Sequence, residues 1–288
     1  MSDYPYSRKN SNQKSSVNFK PRMTDNYNRH INYLRISVTD RCNLRCLYCM
    51  PEDGVKMLPH SQILTFEEIT EVVRVAVSLG VSKVRITGGE PLVRHDVVHL
   101  IEQLSALDGI KDLSMTTNGI LLSKYAIALR EAGLHRVNVS LDTMNPVQFE
   151  HITRGGNIED VIRGIDAALE AGLKPLKLNC VIKESSDDID AKSVSEFAKA
   201  RNIQVRFIRQ MSLSKGHFSI VEGGSGGDCA HCNRLRLTAN GKVKPCLFND
   251  REFDVRELGA AEAIRLAVIG KPECGSHNYT GEFYNIGG

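Results

Sequence analysis

Six of the eight cysteines fall into two tight groups, and this grouping constrains what the chain can fold into more than any other feature. The six are Cys42, Cys46 and Cys49, then Cys229, Cys232 and Cys246. In a chain of this length with no secretion signal, such spacing predicts metal ligation or catalysis in a reducing compartment rather than a disulfide framework. Of the other two, Cys180 lies in an apolar run and is expected to be a packed thiol, and Cys274 has no partner at ligand spacing.

Three thiolates spaced C-x3-C-x2-C suit an iron-sulfur cluster, and three donors leave one iron of a four-iron cluster open to a small ligand. The alternatives are three unrelated thiols and a zinc site, although zinc prefers a closed set of four ligands and the nearest downstream histidine is His60. In the second group His231 stands between two of the cysteines, so zinc held by three cysteines and one histidine is an open alternative there.

The composition excludes several classes of protein. Apolar residues make up 41% of the chain and charged residues 25%, which is typical of a globular protein and not of a disordered or coiled-coil chain. The formal net charge of +3 does not indicate a nucleic-acid-binding protein, so any anionic ligand must meet local basic residues. No apolar run is long enough to span a membrane, and we expect a cytoplasmic protein.

Strand-like and helix-like runs alternate along most of the chain. The predicted strands are 33–38, 83–87, 112–117, 136–142, 177–182 and 204–209, and the predicted helices are 65–79, 96–107, 123–132, 158–171, 191–201 and 255–268. Such alternation predicts an α/β fold of βαβ units with a parallel sheet. The units are too few for a complete eight-stranded barrel, so we expect a partial (βα)6, TIM-like barrel.

The pattern divides the chain into three parts. Residues 1–24 are polar and are expected to be a disordered tail, with an organellar transit peptide as the alternative. Residues 25–212 are expected to form the barrel. The alternation breaks after 212, and residues 213–288, which carry the second cysteine group, are expected to form a small C-terminal domain.

Three predicted strands end in segments suited to ligand binding. The strand at 83–87 runs into Gly88-Gly89-Glu90, where the missing side chains allow a close backbone approach; an ordinary turn with Glu90 in an ion pair is the alternative. Thr116-Thr117-Asn118-Gly119 and Ser140-Leu141-Asp142 follow the next two strands, and Asp142 could simply cap a turn. Ligands bind at the carboxyl ends of parallel strands, so we expect these segments to lie at one site.

Long cationic side chains occupy predicted strands, where they are costly inside a barrel unless they meet an anion. They are Arg35, Arg85, Lys177 and Arg206. Arg234 and Arg236 alternate on a further strand-like run, so both would face one side. Binding of an anionic ligand and plain pairing with acidic residues or solvent are the two interpretations.

The run Leu34–Pro51 resembles the cluster loop of radical S-adenosylmethionine (SAM) enzymes, and more closely that of the GTP 3′,8-cyclase family. The resemblance extends from about Asp25 to Gly288. It implies two [4Fe-4S] clusters, one on each cysteine group, with SAM on the open iron of the first. In that family a 5′-deoxyadenosyl radical abstracts hydrogen from C3′ of GTP. The product, 3′,8-cyclo-7,8-dihydro-GTP, is the first intermediate of molybdenum cofactor (molybdopterin) biosynthesis.

The resemblance also implies roles for individual residues. It implies SAM contacts at Tyr48, Gly88, Gly89, Glu90, Ser140 and Met211. It implies GTP contacts at Arg35, Arg85, Thr116, Lys177, Arg206, Arg234, Leu235, Arg236, Gly287 and Gly288, with Arg35, Arg234 and Arg236 as candidate catalytic residues. The implied partners are a reductase or flavodoxin-type electron donor and a downstream pterin synthase, with a homodimer as one arrangement; no nucleic acid or membrane partner is expected.

Two features depart from the family. The segment 212–228 is short and Gly-rich where the family has a longer one, and Arg209-Gln210 stands where an acidic and an apolar residue are usual. A divergent substrate therefore stays open. The alternative activity is that of a peptide- or protein-modifying radical SAM enzyme with an auxiliary cluster, and the non-enzymatic alternative is an electron-transfer or zinc-binding protein.

Overall fold

The structure is a computed structural model, and it describes residues 23–52, 54–212, 214–279 and 286. The predicted tail at 1–24 lies outside the described residues except for Met23 and Thr24, and so do Gly287 and Gly288. The backbone N–H of Ile31 donates to the Met23 carbonyl at 2.9 Å, and Thr24 forms a β-bridge with His30. The two last residues of the predicted tail are therefore part of the fold.

Strands and helices alternate as the sequence predicts. The strands are β1 Tyr33–Ser37, β2 Lys83–Thr87, β3 Asp112–Thr117, β4 Arg136–Ser140, β5 Lys177–Ile182, β6 Gln204–Arg209, β7 Arg234–Leu237, β8 Lys242–Lys244 and β9 Phe253–Asp254. The helices are α1 Phe66–Ser78, α2 Val97–Ser105, α3 Leu122–Glu131, α4 Pro146–Thr153, α5 Ile158–Glu170, α6 Ile189–Ala200, α7 Val255–Leu258 and α8 Ala260–Ile269. None of these helices is long and apolar enough to cross a bilayer.

The predicted bounds differ from the observed ones in a few places. The helix predicted over 255–268 is two helices, because Gly259 adopts φ 76° between them. Helix α4 and strands β8 and β9 were not predicted. At α1 the predicted capping box is confirmed: the Thr65 side chain accepts from Glu68 N, and the Glu68 carboxylate accepts from Thr65 N at 2.7 Å.

Strands β1 to β6 pair in sequential order and in parallel, and β7, β8 and β9 continue the same sheet beyond β1. The sheet curls: Arg206 on β6 is within electrostatic range of Tyr33 on β1 and Arg234 on β7, although β6 is at the far edge of the strand order. The predicted α/β, partial TIM-like barrel is confirmed.

Alternation along the strands separates an apolar outer face from a polar inner one. On β1, Leu34 and Ile36 are buried in the core, whereas Tyr33 and Arg35 face the other way. The same alternation continues on every strand from β2 to β7. The outer positions are Val84, Ile86, Leu113, Met115, Val137, Val139, Leu178, Cys180, Ile182, Val205, Phe207, Leu235 and Leu237. The barrel interior is therefore lined mainly by polar side chains, with Val181 and Ile208 as apolar exceptions.

Helix α5 packs so closely on the turn after β3 that Gly164 has no room for a side chain. A Cβ at Gly164 would lie 2.4 Å from the backbone oxygen of Gly119. We expect Gly164→Ala to lower the free energy of unfolding by about 1–3 kcal/mol through overpacking, against a gain of up to about 1 kcal/mol for alanine in an open helix.

Urea denaturation followed by circular dichroism measures this change. Lys124→Ala, at an exposed position of α3, is the control and should change stability by less than about 0.5 kcal/mol. A Gly164→Ala protein as stable as the parent would contradict the close approach.

Candidate functional site

The first cysteine loop follows β1 and is held against the Gly88-Gly89 turn by backbone hydrogen bonds. Gly89 N donates to Thr39 O at 2.8 Å, and Glu90 N donates to Arg41 O at 2.8 Å. A Cβ at Gly89 would lie 2.3 Å from Arg41 O, and one at Gly88 would lie 2.9 Å from Thr39 O. The cysteine loop therefore passes so close to Gly88 and Gly89 that neither position has room for a side chain.

Helix α4, which the sequence did not reveal, holds the other side of the same loop. Arg45 N donates to Thr153 O at 3.1 Å, and Leu47 N donates to Ile152 O at 3.0 Å. The Arg154 guanidinium, just after the helix, donates to Met50 O at 3.1 Å. The cysteines therefore sit on a loop fixed from two directions.

A cavity of ≈ 240 Å³ opens over this loop at the carboxyl ends of the strands. Its lining includes the three cysteines Cys42, Cys46 and Cys49 together with every predicted SAM contact: Tyr48, Gly88, Gly89, Glu90, Ser140 and Met211. Thr116 and Asn118, from the end of β3, also line it. The structure thus brings together residues that are far apart in the chain.

Two buried carboxyl groups fix the walls of this cavity. Glu90 accepts from Leu92 N at 3.0 Å, from Thr117 Oγ1 at 2.8 Å and from Asn118 N at 2.7 Å, so it ties the glycine turn to the end of β3. Burial raises the pKa of Glu90 to about 7.

Asp142 does more than cap a turn. It accepts from Tyr48 Oη at 2.7 Å and from Val181 N at 2.8 Å, which fixes the tyrosine beside the cysteine loop. Burial also raises the pKa of Asp142, to about 6.

The thiols of the first group suit a cationic cluster. Burial, and then the charge of neighbouring thiols and of Asp142, raises the pKa of Cys46 and of Cys49 to about 12, so they ionise only beside a strong positive charge. Within 23–52, 54–212 and 214–279, no three Cys, His, Asp or Glu side chains converge on a point where one metal ion could bind. Zinc prefers a closed set of four ligands, whereas each thiolate on a four-iron cluster binds a different iron and three thiolates suffice, so this donor set fits a cluster better than zinc.

A band of cations crosses the barrel interior on the inner face of the strands. Arg236, Arg35 and Arg85 are register partners on β7, β1 and β2. Lys177 and Arg206 extend the band on β5 and β6. Burial first, and then repulsion from neighbouring cations, lowers the pKa of Arg85, Lys177 and Arg206. The interior is therefore suited to an anion.

Arg136 belongs to the same face and was missed in the sequence, where it was read only as the start of a strand. Its guanidinium donates to both carboxylate oxygens of Asp112, at 2.9 and 2.6 Å. The strict alternation of β4 is the signal that could have placed it inside. Both carboxylate oxygens of Asp112 thus accept hydrogen bonds from the same arginine.

Several buried polar atoms of the interior lack a hydrogen-bond partner among the described residues. They are Arg206 Nε, Thr116 Oγ1 and Asn138 Nδ2, all on inner-face positions of their strands. Buried polar groups are normally satisfied, so such a cluster of unsatisfied groups indicates a polar ligand.

The Gly-rich segment spans the gap between β6 and β7. Glu222 and Phe207 exchange two backbone hydrogen bonds, of 3.0 and 3.1 Å, and Gln204 Nε2 donates to Gly223 O at 3.0 Å. Arg234 then donates to Ser225 O at 2.8 Å. The short segment therefore contacts both sides of the opening.

The second cysteine group lies beside the same band of cations. Lys271, which is buried, donates to Arg234 O at 2.7 Å and to Pro245 O at 2.6 Å. Burial raises the pKa of Cys232, but the charges of Lys271 and Arg234 outweigh it and lower this pKa to about 7. Arg236 is within electrostatic range of Cys232 and of Arg35.

Other predicted positions are placed differently. His231 is 81% exposed and pairs with Asp228 at 2.8 Å, which does not support it as a zinc ligand. The side chain of Leu235 packs in the core on the outer face, not in the interior. Cys274, which has no partner at ligand spacing along the sequence, lies close in space to a cysteine of the second group: its Sγ is 3.1 Å from that of Cys229. Cys180 is buried, as expected.

Comparisons with known proteins agree with this geometry. Residues 36–198 match the Radical SAM superfamily, and residues 177–269 match Molybdenum Cofactor Synthesis C. A GTP 3′,8-cyclase of Thermodesulfovibrio yellowstonii is 41% identical over 297 positions, covering 86% of this chain and 92% of the relative. One of Desulforamulus reducens is 44% identical over 281 positions, covering 81% and 86%.

Among solved structures, Streptococcus suis SuiB bound to S-adenosylmethionine aligns with a TM-score of 0.58 at 16% identity. The alignment covers 84% of this chain and 65% of SuiB, and it shows a shared fold. Family matches, relatives and fold agree: the chain belongs to the GTP 3′,8-cyclase family of the radical SAM superfamily.

Proposed function

We propose that this protein converts GTP to 3′,8-cyclo-7,8-dihydro-GTP, using SAM, in the first step of molybdenum cofactor biosynthesis. The observation that carries the proposal is the band of cations on the inner face of the strands, with unsatisfied donors among them, on strands whose carboxyl ends line the cysteine-containing cavity. A nucleoside triphosphate is the polyanion that such an interior suits.

The N-terminal thiols Cys42, Cys46 and Cys49 would hold the first [4Fe-4S] cluster, and the predicted SAM contacts line the cavity beside them. When bound, reduced cluster and SAM together supply the radical that removes hydrogen from the substrate. The protein's own part is to orient: Asp142 holds Tyr48, and Glu90 holds the glycine turn to β3.

The second thiol group, Cys229, Cys232 and Cys246, would hold the second [4Fe-4S] cluster. Lys271 and Arg236 place positive charge beside these thiols, which offsets the negative charge of a thiolate-bound cluster. We propose the boundaries 25–212 for the barrel and 213–288 for the part that carries this cluster.

The triphosphate would lie on the cations of β1, β2, β5 and β6, with Thr116 as a further donor. Proposed contacts are Arg35, Arg85, Lys177, Arg206 and Thr116 for the phosphates, and Arg234 and Arg236 for the rest of the nucleotide. Gly287 and Gly288 lie outside the described residues and are proposed to complete the site. A peptide substrate would need a groove for a chain, whereas the segment at 222–225 contacts both β6 and β7 across the gap.

Catalysis by this route needs partners. We propose a reductase or flavodoxin-type electron donor for the first cluster, a downstream pterin synthase that takes the product, and a cytoplasmic location. A homodimer is proposed as the arrangement to test by light scattering.

Iron content tests the two clusters separately. After anaerobic reconstitution we expect about eight irons per chain, because each trio of thiols binds a four-iron cluster. Replacing Cys42, Cys46 and Cys49 together by serine should remove about half of the iron, and replacing Cys229, Cys232 and Cys246 together should remove the other half.

Iron and sulfide assays with metal analysis measure the outcome, and Cys180→Ala, in the apolar core, is the control that should keep all of the iron. Zinc in place of iron at the second group would contradict the proposed second cluster while leaving the first intact.

Arg206→Gln tests the triphosphate site. Loss of one charged donor to a phosphate costs about 1.5–3 kcal/mol, so we expect the Kd for GTP to rise by about 10-fold to 150-fold. SAM binding should stay unchanged, because Arg206 does not line the cavity beside the first cluster.

Equilibrium binding under anaerobic conditions measures both affinities. Arg74→Gln, on the exposed side of α1 and outside the barrel, is the matched control. If Arg206→Gln and Arg74→Gln bound GTP equally well, the interior would not be the triphosphate site.

A further inference from the structure

We propose that Cys229 and Cys274 form a reversible disulfide in the cluster-free chain, which makes this pair a site of exchange with low-molecular-weight disulfides of the glutathione type. The two sulfur atoms lie 3.1 Å apart. The effect of this disulfide on cluster loading rests on the proposed function, in which Cys229 is a ligand of the second cluster. Oxidation of the pair would then block loading of that cluster.

The contact is built into the fold. Arg29, which is buried, joins the two segments that carry the cysteines: one of its terminal nitrogens donates to Cys229 O and to Glu273 O, both at 2.7 Å. The other donates to Pro272 O at 2.6 Å. Asp25 holds the guanidinium in place through an ion pair of 2.7 Å. The residue just before Cys274 and Cys229 itself are thus fixed to one rigid group.

The chain after Cys274 is fixed as well. Ser276 N donates to Phe248 O at 3.1 Å, and Asn278 Nδ2 donates to Leu247 O at 3.0 Å. A Cβ on Gly275 would lie 2.7 Å from the Phe248 Cβ and 3.1 Å from the Cys246 sulfur. With anchors on both sides, Cys274 cannot drift away from the second thiol group.

The two sulfur atoms are in contact but not bonded, because a disulfide bond is about 2.05 Å long. Two thiolates on one tetrahedral zinc, with bonds of about 2.3 Å, stand about 3.8 Å apart, and thiolates on different irons of a cluster stand further apart still. The observed 3.1 Å is shorter than either. Cys274 is exposed and Cys229 is half-buried, so a small disulfide reaches the first sulfur from solvent.

The exchange balances without a further reagent. The Cys274 thiolate attacks the small disulfide, forms a mixed disulfide and releases one small thiol. The Cys229 thiolate then attacks the Cys274 sulfur and releases the second small thiol. The protein loses two electrons and two protons, and the small disulfide gains both. A dithiol reductant reverses the reaction and frees Cys229.

Peptide mapping tests the bond directly. The full-length cluster-free chain is incubated anaerobically with oxidised glutathione, free thiols are alkylated, and the digest is analysed by mass spectrometry. We expect a cross-link between the Cys229 and Cys274 peptides that dithiothreitol removes. Reconstitution of the oxidised chain should give about half of the iron taken up by the reduced chain, and reduction should restore the rest.

Three variants serve as controls. Cys274→Ser should abolish the cross-link and keep full iron loading after glutathione treatment, whereas Cys232→Ser should keep the cross-link. The Arg29→Gln protein should form the cross-link several-fold more slowly, because it loses the hydrogen bonds that join Cys229 to the segment before Cys274.

A cross-link to Cys232 or Cys246, or a stable glutathione adduct on Cys274 without a cross-link, would overturn the proposal. If instead the reduced chain itself loads only one cluster, the proposed second cluster fails while the mapped disulfide stands, so the two ideas are distinguished.

Discussion

The cationic side chains inside the barrel repel one another, and a bound anion would offset this repulsion. At an effective dielectric constant of 20, two unit charges 4 Å apart repel by about 4 kcal/mol, and the lowered pKa values of Arg85, Lys177 and Arg206 report such repulsion together with burial. Asp112, a carboxylate on this face, is paired with Arg136. The interior therefore carries an excess of positive charge that a triphosphate would neutralise, and substrate binding would add to the stability of the barrel.

The two cysteine loops have a different task. They hold thiols that do not ionise readily in fixed positions. Thiols whose pKa is raised to about 12 give up their protons only to a metal, and a loop that had to be ordered at the same time would weaken that binding. Backbone hydrogen bonds from the glycine turn and from the end of α4 fix the first loop beforehand. Lys271 does the same for the second, by joining the backbone at Arg234 to that at Pro245.

Much of this arrangement could be predicted from the sequence. The six parallel strands follow from alternation, and the cysteine spacing singled out both candidate metal-binding groups. Helix α4 was missed because Pro146–Thr153 is short and weakly amphipathic, and β8 and β9 because strands of two or three residues carry no periodicity. The contact between Cys229 and Cys274 depends on where α8 returns the chain, which spacing along the sequence does not encode.

The Gly-rich segment shows how a shorter chain still covers this interior. The alignment with the Thermodesulfovibrio relative has 297 positions but includes only 86% of this chain. The relative therefore carries residues that this chain lacks. Here the gap between β6 and β7 is crossed by backbone, and a Cβ at Gly223, where φ is +74°, would lie 2.7 Å from Val205 O. Arg234 contacts this segment through the carbonyl of Ser225. The carbonyl of Ser225 is a neutral partner, and one hydrogen bond to it holds the Arg234 side chain in place. An entering nucleotide would replace that carbonyl as the hydrogen-bond acceptor of Arg234.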